Sequence, residues 1–105
     1  MLPQHLRLRT SADFASVVKK GFRVTRPALV LYARAADQPH FGVIVGRRVG
    51  NAVRRNRVKR VLRHEAGVRL SGARPMDVVV RALGSELVRQ DLASAWAEAE
   101  RRVWS

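Results

Sequence analysis

Arg55, Lys59 and Arg63 stand at i, i+4 and i+8 within Gly46–Arg63, a segment with eight basic residues and no acidic one. The chemistry open to such a row is phosphate binding. Residues four apart on an α-helix rise about 6 Å along its axis. Successive phosphates of a nucleic-acid strand have a similar spacing. Each guanidinium presents a flat fork of donors that can take two phosphate oxygens at once. Asn56 adds a donor and an acceptor suited to a sugar hydroxyl or a base edge. Arg54, Arg57 and Arg60 belong to the same stretch, and Arg47 and Arg48 precede it. No Asp or Glu occurs between Asp37 and Glu65. The segment therefore repels itself, and an anionic partner lowers its energy.

The spacing of Val58, Val61 and Leu62 predicts a packed helix rather than a disordered basic tail. On a helical wheel we place Val58, Val61, Leu62 and Glu65 on one arc. The row Arg55–Lys59–Arg63 is assigned to the opposite arc, with Asn56 and Arg60 beside it and Arg57 at the flank. A merely solvated charged face competes with this reading, but such faces usually interleave both signs of charge. A membrane-surface helix needs Trp, Phe or several Leu on its apolar side; here that side is Val and one Leu, which suits a core. A DNA-reading helix sits beside a tight helix turn, whereas strands are predicted on both sides of this one.

Composition narrows the classes further. A chain of 105 residues with 47% hydrophobic residues is predicted to form one domain with a single core. The net charge of +13 points to a polyanion: RNA, DNA or an anionic membrane. Of the basic residues, only Lys19, Lys20 and Lys59 are lysines. The Arg bias suits phosphate and base contacts, although a base-composition bias of the genome would produce it too. Cysteine is absent, which excludes a disulfide framework, a thiolate metal site and a cysteine nucleophile. No apolar run approaches the length of a membrane helix. The first residues lack the apolar stretch of a signal peptide. The expectation is a soluble cytoplasmic protein with no membrane partner. His5, His40 and His64 show no ligand spacing, and the eight acids are dispersed. A self-contained nuclease needs carboxylates to hold magnesium at the scissile phosphate. The chain alone is therefore not expected to be catalytic, no organic cofactor is expected, and metal ligands stay unassigned.

The elements that must position these residues follow from local signals. Residues 1–10 form a basic, irregular segment. Ser11 is placed as the N-cap of a first helix over 11–20, with Asp13 in its first turn and Phe14, Val17 and Val18 at helical spacing. Strands are predicted at 22–25, 29–34, 41–45 and 76–81. The run 41–45 is the most apolar and is predicted to be central. Asn51 is the expected N-cap of a long basic helix beginning at 52 and reaching as far as Leu70. Residues 71–75 form a loop. Ser85 is the expected cap of a last helix over 86–103, with Val88, Leu92, Ala95, Trp96, Ala99 and Val103 as its apolar stripe and Glu98 pairing with Arg102. Phe41 and Trp96 read as core. The order α-β-β-β-α-β-α gives an α+β class, a four-stranded sheet backed by helices, with no linker or internal repeat.

At Arg55-Asn56-Arg57-x-Lys59-Arg60-x-x-Arg63, preceded by Gly50-Asn51-Ala52-Val53, the chain closely resembles the protein subunit of bacterial ribonuclease P. Ser11 to Gly21, Val30-Leu31-Tyr32, Gly42-Val43-Ile44-Val45 and Asp77-Val78-Val79-Val80-Arg81 match the family in the same order, so the likeness covers nearly the whole chain. Segment 50–63 is the specific part. The resemblance implies a single-domain αβββαβα sandwich over 1–105, of the ribosomal protein S5 domain 2-like kind, with a basic signature helix over 51–70. It also implies a left-handed β-α-β crossover, against the usual right-handed rule.

The resemblance implies a function as well. A large catalytic RNA with magnesium, bound mainly by that RNA, would remove the 5′ leader of precursor tRNA, and the protein would assist. Arg47, Arg48, Asn51, Arg54, Arg55, Asn56, Arg57, Lys59, Arg60 and Arg63 would contact RNA. Phe14, Val18 and Tyr32 would line a cleft for the single-stranded leader. The family often has an aromatic where this chain has Val18, so the cleft would stack fewer bases. The partners implied are the catalytic RNA and the leader, with no obligate protein partner. The alternative is a non-enzymatic structural RNA-binding protein, associated with the ribosome, which would need the basic helix but not the cleft.

Overall fold

A computed structural model of the chain describes residues 3–8, 10–70, 72 and 74–104. Ser71 and Ala73, in the expected 71–75 loop, lie outside the described residues, as do Met1, Leu2 and Arg9 of the expected irregular N-terminal segment.

Helix α1 spans Ser11–Lys20. Its N-cap is Thr10, not the expected Ser11: the Asp13 amide donates to Thr10 Oγ1 at 3.1 Å. Thr10 keeps an extended backbone, which turns its hydroxyl back over the first turn, whereas Ser11 is already helical. At the other end Gly21 is required by space. A Cβ there would lie 2.6 Å from the Val17 carbonyl oxygen and 2.9 Å from that of Ala33.

Strands β1 (Phe22–Thr25), β2 (Leu29–Ala35), β3 (His40–Val45) and β4 (Met76–Ala82) form one sheet in the order β1-β2-β4-β3. β1–β2 and β2–β4 pair antiparallel, while β3 and β4 pair parallel. The parallel pair is joined through helix α2, Ala52–Leu70. The apolar strand β3 is thus an edge strand, not a central one. Apolarity reports that both faces of a strand are covered, which does not require a neighbour on each side. The free edge of β3 is itself partly occupied. The Leu8 amide donates to the Phe41 carbonyl at 3.0 Å, and Arg7 bridges Phe41 in parallel register. Gln4–Leu6 form a short 3₁₀ turn just before this contact, so part of the segment expected to be irregular is locally ordered.

Side chains alternate across the sheet, and the two faces carry different loads. Leu29, Leu31 and Ala33 of β2 and Met76, Val78 and Val80 of β4 point to the face covered by α2 and by α3, Val88–Val103. Val58, Leu62, Ala66 and Leu70 from α2 meet Val88, Leu92, Ala95, Trp96 and Ala99 from α3 there. Phe41 and Trp96 are core as expected, with ring centroids 6.3 Å apart. α3 starts later than expected and without the Ser85 cap. Leu87, at φ 64°, precedes it in the left-handed region and breaks the helical path. Asp91 in the first turn accepts from the Ala28 amide at 2.7 Å, which ties α3 to the start of β2. Glu98 pairs with Arg102 at 3.5 Å as anticipated, and more closely with Arg26 at 2.8 Å.

Among the described residues α1 is the one helix on the opposite face, with Leu8 of the N-terminal segment beside it. The core on this face is small: Val17, Val30, Tyr32 and Val79, with Leu8, Phe14, Val18, Ile44 and Leu83 around them. One ten-residue helix cannot roof a four-stranded sheet, so part of this face stays open beside α1.

Candidate nucleic-acid interface

The basic surface begins where β3 ends. Arg47–Val49 form a 3₁₀ turn in which Val49 is buried and Arg47 and Arg48 are exposed. Gly50 follows at φ 143°, a backbone conformation open to glycine. A Cβ at this position would also approach Arg54 Cδ to 2.7 Å. Asn51 then caps α2 as expected, its Oδ1 accepting from the Arg54 amide at 2.9 Å. Anchor, glycine and cap together fix the direction in which the helix and its charges leave the sheet.

The helix is not rotated as the wheel reading placed it. Val58, Leu62, Ala66 and Leu70 are buried, and Val61 and Glu65 are only half-buried. Arg55 lies about 20° from Leu62 in projection, because seven residues nearly complete two turns. Arg55, Lys59 and Arg63 are accordingly half-buried along the border of the packed stripe, not opposite to it. Arg54, Asn56, Arg57, Arg60 and His64 are the exposed members. The basic surface therefore wraps from the outward face onto one flank of the helix.

Glu86 shares a pocket with Arg54 and Arg57 but forms no ion pair with them. Among the described residues, no hydrogen bond or ion pair engages the side chains of Arg47, Arg48, Arg54, Arg55, Arg57, Lys59 or Arg60. Glu65, the nearest acid in sequence, is bound to Arg69 at 3.4 Å. Burial, and then the charge of Arg7, lower the pKa of Arg63 from its ordinary value. Arg7 was not singled out in the sequence. It arrives here because its strand-like contact with Phe41 lays the N-terminal segment along β3. Arg7, Asn56, Lys59, Arg60, Arg63 and Arg89 line one shallow groove. Arg89 was likewise missed, since it opens a different helix. Crowded guanidiniums of this kind raise the local positive potential, and a phosphate relieves it.

On the α1 face the structure brings Phe14, Val18 and Tyr32 into one cluster. Phe14 and Val18 are half-buried, while Tyr32 is 9% exposed. The Phe14 ring lies on Gly42, where a Cβ would come within 2.5 Å of two ring carbons. Glycine at 42 thus lets the ring rest against the sheet. α1 is pinned over one end of the sheet by a polar network that sequence spacing did not disclose. Arg34 donates to Asp77 Oδ2 at 3.1 Å and to Ser16 Oγ at 2.6 Å, and His40 Nδ1 lies 2.9 Å from Asp77 Oδ1.

Among the described residues, no three His, Asp or Glu side chains converge as metal ligands. Asp77 is already engaged on both oxygens. This donor set does not fit a magnesium ion held by the protein itself. Among the described residues no helix is long and apolar enough to cross a membrane.

The comparison with known proteins converges on one family. The family model for Ribonuclease P matches residues 2–103. The Ribonuclease P protein component of Mycolicibacterium vanbaalenii is 45% identical over 89 residues, covering 79% of this chain and 75% of the relative. That of Mycobacterium ulcerans is 38% identical over 109 residues, covering 97% and 88%. Among solved structures, the Staphylococcus aureus RNase P protein superimposes with a TM-score of 0.75 at 26% identity, covering 95% of this chain and 98% of that one. The Thermotoga maritima RNase P protein gives 0.67 at 25% identity, covering 91% and 92%. With a matching model over almost its full length, curated relatives above 30% identity and the same fold in solved members, the chain belongs to the family of bacterial ribonuclease P protein components.

Proposed function

We propose that the chain is the protein subunit of a ribonuclease P ribonucleoprotein that matures the 5′ end of tRNA. α2 and the 3₁₀ turn before it dock on the catalytic RNA through Arg47, Arg48, Asn51, Arg54, Arg55, Asn56, Arg57, Lys59, Arg60 and Arg63. The leader of precursor tRNA lies along the α1 face, against Phe14, Val18 and Tyr32. The observation that carries the reading is the basic surface of α2, ordered by the Asn51 cap and the buried Leu62 stripe. Charges held in a fixed array lose little entropy on binding, so several phosphates can be engaged at once. The protein would act by binding and orientation. Magnesium, held mainly by the RNA, would supply activation of water and stabilisation of the leaving oxygen.

In the leader cleft, Phe14 offers the more open ring and Tyr32 its base. A nucleobase stacked on such a ring gains about 1–3 kcal/mol with little sequence preference, which suits leaders of varied sequence. Val18 widens the apolar floor without adding a second stacking face. Cytoplasmic work on precursor tRNA fits a cysteine-free chain.

The test is reconstitution. The purified protein is mixed with a bacterial ribonuclease P RNA and a 5′-labelled precursor tRNA, at magnesium too low for the RNA alone. Correct leader release only with both components supports the proposal. Tight, salt-sensitive RNA binding without stimulation would favour a structural RNA-binding role instead.

A further inference from the structure

Arg81 stands in β4, one of the two central strands, on the α1 face of the sheet. It is in register with Val30 on β2 and Ile44 on β3. Val30 is 5% exposed and Ile44 is half-buried, so the floor on either side of Arg81 is apolar. Arg81 itself is exposed. Among the described residues it has no hydrogen-bond or ion-pair partner. The contrast with Arg34 is instructive, because Arg34 projects from β2 onto the same face. Arg34 sits at the end covered by α1 and is held by Asp77 and Ser16. Arg81 sits toward the opposite end of the strands, exposed, and among the described residues no carboxylate is on it.

A guanidinium rising from an apolar floor keeps its stem packed and its head available. Two features say what it would hold. Tyr32 pairs with Val79 in the β2–β4 register, so Arg81 is its diagonal neighbour on the same face. Diagonal neighbours lie about 7–8 Å apart, which an arginine side chain spans and which matches one step of a nucleic-acid backbone. The chain also leaves this end of the sheet from β3 into the Arg47–Arg48 turn and the basic helix. Arg81 therefore stands between the aromatic cluster and the basic surface.

We propose that Arg81 is a phosphate-binding residue of the leader cleft, gripping the backbone of the single-stranded leader next to a nucleotide lodged at Phe14 and Tyr32. This rests on the leader-cleft reading above and extends it from ring stacking to a charge-assisted backbone contact. The fork binds phosphate whatever the base, so it raises affinity without adding sequence preference.

The test uses holoenzyme reconstituted from the full chain and a bacterial ribonuclease P RNA. Affinity is measured for precursor tRNA with a long leader, for the same tRNA with a single leader nucleotide, and for mature tRNA. Arg81→Gln is expected to weaken long-leader binding about three- to tenfold, the range for losing one charged hydrogen-bonding partner in a wet cleft. Binding of mature tRNA and of the catalytic RNA should stay at the wild-type level. Arg81→Lys, which keeps a point charge, should recover most of the loss. The salt dependence of long-leader binding should become shallower by about one phosphate contact. Unchanged long-leader affinity in Arg81→Gln, or an equal loss on mature tRNA, would overturn the proposal. Phe14→Leu separates the two levels. If it remains leader-sensitive while Arg81→Gln does not, only Arg81 falls. If the wild-type holoenzyme ignores leader length, the cleft reading falls and Arg81 with it.

Discussion

Arg57 and Arg60 face solvent on α2, and among the described residues neither is held in an ion pair, although Glu86 lines a pocket with Arg57. Reversing both charges, Arg57→Glu with Arg60→Glu, replaces attraction by repulsion at two phosphates. The expected result is a loss of catalytic-RNA affinity of at least about 3 kcal/mol, from two charge-assisted contacts at about 1.5 kcal/mol or more each. Arg101→Gln on the exposed side of α3 should leave affinity unchanged. Equal effects in a filter-binding titration would remove α2 from its proposed role. A second residue-scale prediction concerns Phe14. Phe14→Leu keeps an apolar side chain on Gly42 but removes the flat ring. Affinity for leader-bearing precursor should fall by about 1 kcal/mol, with mature tRNA unaffected. Tyr32 is the poorer choice for this test. It is 9% exposed, and its removal would open a cavity in the small α1-face core.

At the scale of elements, the basic surface depends on how α2 is seated. Leu62 is fully buried in the centre of the stripe that meets α3 and the sheet. Leu62→Ala should lower stability by about 2–5 kcal/mol, the usual range for a leucine truncated in a packed core. Thermal unfolding would show the drop, and RNA affinity below the melting transition should change much less. A variant that binds RNA poorly while still folded would mean that the stripe also sets the orientation of the charges. The helices were well marked in the sequence where a side chain does the capping next to a clear apolar repeat, as at Asn51. They were misjudged at Thr10 and at Leu87. The first choice depends on which of two adjacent hydroxyls keeps an extended backbone, and the second on a backbone turn that no side-chain type announces.

For the molecule as a whole, charge dominates. The net charge of +13 on 105 residues, much of it on one surface, makes association with RNA a counterion-release process. Each phosphate contact should contribute about 0.7–0.9 to the slope of log affinity against log salt. A chain that engages six or more phosphates should lose about a thousandfold in affinity between 50 and 200 mM salt. A flat dependence in the same titration would contradict the electrostatic argument. The polar network at the other end works differently. Arg34, Asp77, His40 and Ser16 are tied to one another, and they hold α1 in place instead of adding to the basic surface.

The sequence by itself determined the class, the apolar stripe of the last helix and the family. Those follow from local properties: alternation in strands, a 3.6-residue repeat in helices, and a signature written in consecutive residues. It also marked Phe41 and Trp96 as core and segment 50–63 as the basic element. Tertiary structure alone decided that β3 is an edge strand, because strand order depends on where β4 inserts. Only there does Arg7 come beside Arg63, Arg34 and His40 share Asp77, and Arg81 come into register with Val30 and Ile44. Each of these is a meeting between residues far apart in the chain. The helix wheel failed for a related reason. Residues within α2 fix their angles relative to one another, but the direction of the core is set by the sheet and by α3. A half-buried Lys59 and an exposed Arg60 differ only in that reference, which no single element contains.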